Sequence, residues 1–143
     1  MPLLFTTFFS LFLLWDYLKR GTVPLAFSKI KKEEFNAAEK ILSYTKYPDR
    51  LSSSQKSYYA LTKGFIERNK NNFNQAEELL LQAKNGNIKK DNERAMLLLA
   101  LADINMVKGK KQMAKEFILQ MQGLKVAPNL MDAVRKMQSW LDI

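Results

Sequence analysis

No cysteine occurs in the sequence, which removes disulfides, thiolate metal sites and thiol nucleophiles, and leaves the redox compartment open. Histidine is also missing, and with it the commonest general base and metal ligand at neutral pH. There is no phosphate-cradling glycine loop, no metal-ligand spacing and no nucleophile placed beside a base. The adjacent carboxylates Glu33 with Glu34, and Glu77 with Glu78, read as helix-start residues favoured by the helix dipole. These absences lead us to expect a non-enzymatic protein with no cofactor, no metal and no small-molecule substrate. Acidic residues are the minority: 14 Asp and Glu stand against 23 Lys and Arg, for a net charge of +9. Such a surplus favours acidic partners, nucleic acid or anionic lipid, although a lysine- and asparagine-rich genome produces the same balance without selection.

At 143 residues, 47% of them hydrophobic and 26% charged, the chain suits one folded domain with a continuous core. From Pro2 to Trp15 it carries no charge and is dominated by Leu and Phe, and Asp16 ends the run. Extended to Leu18, this stretch would cover about 25 Å as a helix, slightly less than a hydrocarbon core of about 30 Å. A cleaved signal peptide fits poorly, since no basic residue precedes the run and no small-x-small site follows it. A buried core helix or an interfacial helix is a second reading, but apolar residues on every face give little amphipathic moment. The favoured reading is a transmembrane anchor through residues 2–18. Trp15 and Tyr17 would lie at headgroup level with Lys19 and Arg20 beyond, so that the rest of the chain is expected in the cytoplasm.

Self-similarity appears at a period of 38 residues. The segments 33–42, 71–80 and 109–118 align without gaps, bringing Ala38, Ala76 and Ala114 into one column and Leu42, Leu80 and Ile118 into another. Twelve residues before each alanine stands a further small residue: Ala26, Gly64 and Ala102. Small residues on facing sides let two antiparallel helices approach, while the large apolar residue one turn later fills the groove to the next unit. Ser52 with Gln55, and Asn72 with Gln75, have capping-box spacing, and Tyr47-Pro48-Asp49 and Asn85-Gly86-Asn87 punctuate the connections. Helices are expected near 22–32, 34–46, 53–69, 73–85, 92–108, 111–124 and 129–141. The last begins at Pro128 and carries an apolar stripe of Leu130, Val134, Met137 and Leu141, as a terminal cap should.

These columns resemble the tetratricopeptide repeat (TPR), best in the second unit, where Gly64, Ala76, Leu80 and Ala83 take the small, small, large and small places. The period is longer than the family's, its Trp, Tyr and Pro places are unfilled, and Thr45 and Met121 stand where Ala is usual in the outer units. The resemblance implies an all-α fold: a right-handed α-solenoid of about three helix-turn-helix units. The units are near 22–50, 51–88 and 89–126, with a C-terminal capping helix over 127–143. The resulting division is an apolar membrane-anchor helix at 1–21 and a repeat domain at 22–143.

In that family the first helix of each unit lines a concave groove. Carried over place by place, the resemblance implies a partner-binding surface of Tyr58, Leu61, Phe65, Arg68, Met96, Leu99, Asp103 and Met106, with Val23, Phe27 and Ile30 from the first unit. The family's carboxylate clamp of Lys and Asn is not matched, since Val23, Leu61 and Leu99, then Phe27, Phe65 and Asp103, hold those places. A surface both aromatic and apolar suits an amphipathic helix or extended peptide. The function expected is a scaffold or adaptor held at a membrane. Nucleic-acid binding is the alternative, motivated by Lys63, Lys70, Lys84, Lys89, Lys90, Lys108, Lys110 and Lys111. Three units are too few to read a base sequence at one base each.

Overall fold

The computed structural model describes residues 6–11 and 21–143. Every regular element among them is helical, with no strand. Residues 6–11 are helical, and the remainder of the expected membrane anchor, including Trp15, Tyr17, Lys19 and Arg20, lies outside the described residues. Among those described, no helix is long and apolar enough to cross a membrane.

From Gly21 onward seven helices follow: α1 (Thr22–Lys31), α2 (Phe35–Ser43), α3 (Ser53–Asn69), α4 (Phe73–Lys84), α5 (Asp91–Val107), α6 (Lys111–Leu119) and α7 (Pro128–Leu141). A 3-10 turn, Pro48–Arg50, lies between α2 and α3. Two helices are shorter than the sequence suggested. The chain leaves α2 at Tyr44, ahead of the Pro48 turn, and leaves α6 at Gln120, ahead of Gly123, whose φ is 85°. Pro128 occupies the first turn of α7 as expected, where its missing N–H is no loss.

The helices form three successive hairpins, α1–α2, α3–α4 and α5–α6, each packed on the next through α2 against α3, α4 against α5 and α6 against α7. The first helices also touch in sequence, α1 with α3, α3 with α5 and α5 with α7. The period of the sequence recurs in the turns. First helices end at Lys31, Asn69 and Val107, and second helices begin at Phe35, Phe73 and Lys111. Between them Glu33, Asn71 and Gly109 have φ of 59°, 65° and 75°. The next N–H closes each turn onto the first helix, Glu34 on the Lys29 carbonyl at 2.9 Å, Asn72 on Glu67 at 2.9 Å and Lys110 on Asn105 at 2.8 Å. This six-to-one bond with a left-handed residue is the Schellman ending of a helix.

Both small-residue columns point inward. Ala26, Ala38, Ala76, Ala102 and Ala114 are all 0% exposed, and Leu42, Leu80 and Ile118 are buried beside them. Gly64 is fitted to Leu80: a methyl group on it would stand 2.8 Å from Leu80 Cγ and Cδ2. Leu80 therefore fills the space a larger residue at 64 would need, which brings α3 and α4 together. The Ser52 cap forms, with its hydroxyl accepting from the Gln55 N–H at 3.2 Å. The Asn72 cap does not, because the Asn72 amide instead donates to Glu67 Oε2 at 2.7 Å. At the place of Glu67 in the third unit Asn105 is fully buried, its amide nitrogen donating to the Leu101 carbonyl and its Oδ1 without a protein donor.

Candidate partner-binding groove

Because first helices pack on first helices, the residues they turn away from their hairpin partners collect on one side of the molecule. Three adjoining hollows lie there. A cleft of about 400 Å³ opens at the N-terminal ends of α1, α3 and α5, between Val23, Phe27, Lys31, Tyr58, Lys90 and Glu93. A central cavity of about 230 Å³ follows, with Ile30, Phe35, Phe65, Met96, Leu99 and Leu130 around it and Glu33 and Arg68 at its edge. The third hollow, of about 260 Å³ near the C-terminal ends of α3 and α5, shares Phe35, Phe65 and Arg68 with the second and adds Asp103 and Val107.

The first hollow is organised around Glu93, only 4% exposed. Its Oε1 pairs with Lys31 Nζ at 3.2 Å, and its Oε2 accepts from the Tyr58 hydroxyl. A carboxylate so far from water requires both partners. Tyr58 in turn meets the edge of Phe27, ring centres 5.5 Å apart at 67°, and Lys31 Nζ lies 5.0 Å above the Phe27 ring. Burial, then the hydrogen bond to Glu93 and that carboxylate's charge, push the Tyr58 phenol well above its ordinary range. At the far end Arg68 donates to Asp103 Oδ2 from Nε at 3.0 Å and Nη2 at 2.6 Å, linking α3 to α5.

The residues expected to line a groove are thus divided. Phe65, Arg68, Met96 and Leu99 converge on the central cavity, Tyr58 joins Val23 and Phe27 in the N-terminal cleft, and Asp103 lies in the C-terminal hollow. Ile30 sits at the central cavity's α1 wall. Leu61 is 0% exposed and belongs to the core, because the packing of α3 turns it inward. Met106 is partly buried against the same core. Contributors that escaped the sequence reading of the site include Lys31, Phe35, Glu93 and Leu130. Phe35 shares a repeat column with Phe73, Leu130 sits in the cap's apolar stripe, and nothing local marks Glu93 as a buried acid.

Several of the basic residues are paired within the fold. Lys70 pairs with Glu39, and Lys108 with Glu77 at 2.5 Å, so the same bridge recurs one period later and ties each second helix to the following first helix. The hydrogen bond that the Lys70 ammonium donates to the Glu39 carboxylate raises its pKa above its ordinary value. Lys111 pairs with Asp142 at 3.2 Å, and Lys63 lies 6.0 Å from the centre of the Tyr59 ring. Among the described residues no group of three or more acidic, histidine or cysteine side chains is placed to hold a metal.

Set against protein-family profiles, curated proteins and solved structures, the chain gives no match.

Proposed function

We propose that this chain is a small right-handed α-solenoid of three TPR-like units, tied to a membrane by its N-terminal apolar helix. In this reading it acts, without enzymatic chemistry, as a scaffold or adaptor that receives a partner helix or peptide in the groove on its first helices, with the repeat domain in the cytoplasm. The observation that carries the reading is the convergence of Phe65, Arg68, Met96 and Leu99 on one apolar cavity bordered by charged groups. An apolar centre with polar ends is the layout of a site for a peptide whose large side chains supply most of the binding energy. The 38-residue recurrence of the left-handed turn and of the Glu–Lys bridge supports the repeat part of the proposal.

The test is affinity capture from membranes with the full chain and with Met96→Glu, a change at a partly buried wall of the cavity. Capture of a defined protein that Met96→Glu weakens by about tenfold, or about 1.4 kcal/mol, with an unchanged thermal melt, is expected. Equal capture by both chains would overturn the assignment of the groove. Recovery of nucleic acid with steep salt dependence would favour the basic-surface alternative. Protease treatment of sealed inverted vesicles reports orientation: a C-terminal tag digested there, and protected in intact spheroplasts, is expected.

A further inference from the structure

The N-terminal helix presents large apolar side chains to water, with Phe8 74%, Phe9 57% and Leu11 63% exposed. Each such side chain forgoes the stabilisation that burial would give it, so the segment has a strong drive to find cover whenever no bilayer is at hand. The outer side of α1 offers little. In α3 that side packs on α2 through Tyr59, Lys63 and Ile66, with Lys70 beside them. One period earlier stand Gly21, Leu25, Ser28 and Lys32, on α1 and at its two caps, so only Leu25 is large and apolar.

The other side of α1 borders the trough, and the chain enters the fold at its rim. A methyl group on Gly21 would lie 3.7 Å from Gln55 Nε2 and 4.0 Å from Pro24 Cδ, and Gln55 and Pro24 both line the N-terminal cleft. From that point the central cavity is one helix length away, about 15 Å for the ten residues of α1. Residues 12–20 have a reach of about 30 Å. Residues 6–11, Thr-Thr-Phe-Phe-Ser-Leu, carry no charge that an apolar cavity would have to desolvate.

We propose that, away from a membrane, residues 6–11 fold back into the trough of their own chain and seat Phe8, Phe9 and Leu11 against Phe35, Met96, Leu99 and Leu130. Insertion of the N-terminus into a bilayer withdraws it and opens the groove, so that membrane attachment and partner binding are coupled. The coupling rests on the anchor reading above. It needs no conformational change in the repeats, only competition of two apolar environments for one segment.

The absence of native cysteine makes the test direct. Phe9→Cys with Met96→Cys is compared with Phe9→Cys paired to the exposed Ser139→Cys on α7, under mild oxidation, first without lipid and then with phosphatidylcholine–phosphatidylglycerol vesicles. A thermal melt of the reduced variants reports folding, and flotation of the vesicles reports attachment independently of the cross-link. An intrachain disulfide confined to the Met96 pair without lipid, falling by about tenfold or more in the floated fraction, is the expected result. Floated protein combined with no intrachain link above the Ser139 control overturns the fold-back and leaves the anchor standing. Disulfide-linked dimers assign the trough to a second copy and overturn the proposal. A link undiminished in floated protein overturns the competition, and failure to float overturns the anchor and the coupling together.

Discussion

Gly64 and Tyr58 show how much single positions carry. At Gly64 a methyl group meets Leu80, itself 0% exposed and enclosed, so Gly64→Ala sets overpacking of about 1–3 kcal/mol against a helix-propensity gain of about 1 kcal/mol. A net loss of about 1 kcal/mol is expected from urea unfolding, and a more stable variant would mean that Leu80 yields. Tyr58→Phe removes the hydroxyl that satisfies one oxygen of the buried Glu93 and is expected to cost about 1–3 kcal/mol near neutral pH. The sign of its pH dependence follows from the raised phenol. In the unfolded chain Tyr58 ionises near pH 10, while in the fold it holds its proton, so the wild type loses stability as pH climbs past about 10. The phenylalanine variant lacks that loss. The stability gap between the two proteins should therefore narrow above pH 10, and a gap that widens would contradict the account.

At the scale of elements, the hairpins are joined by a repeated bridge of unequal strength. Glu77 and Lys108 have side chains 17% and 21% exposed, whereas Glu39 and Lys70 are 46% and 42% exposed. A double-mutant cycle is expected to give about 1 kcal/mol of coupling for Glu77–Lys108, with a smaller coupling for Glu39–Lys70 that high salt erases. Equal couplings would show that burial does not set their worth. α7 closes the last hairpin by burying Val134, Met137 and Leu141 against α5 and α6. Deleting residues 127–143 uncovers that apolar surface, and aggregation or loss of a cooperative melting transition is expected. An unchanged melt would remove α7 from its capping role. Helix identities were legible from the sequence because 3.6-residue periodicity, small-residue columns and turn residues agree in register. Their ends were less so, since α2 and α6 stop short at Tyr44 and Gln120, and the Asn72 cap was lost to a side-chain bond with Glu67 that no local pattern announces.

Across the whole molecule, the hollows gather from four first-helix and cap elements that lie far apart in sequence. The line joining Ile30, Phe65, Met96 and Leu130 exists only because α1, α3, α5 and α7 lie side by side. The places carried over from the family resemblance named most of these residues in advance. They could not separate Leu61, turned into the core, from Phe65, which reaches the cavity while still largely buried, because both occupy apolar first-helix places. Composition and periodicity settled the helical class, the 38-residue spacing and the burial of Ala38, Ala76 and Ala114, all of which depend on side-chain size repeating along one chain. Tertiary packing alone decided that Glu93 becomes a buried acid served by Lys31 and Tyr58, and that Phe35 and Leu130 line one cavity. Those outcomes depend on the angle and offset between successive hairpins, quantities fixed by the sum of many contacts and written in no single segment.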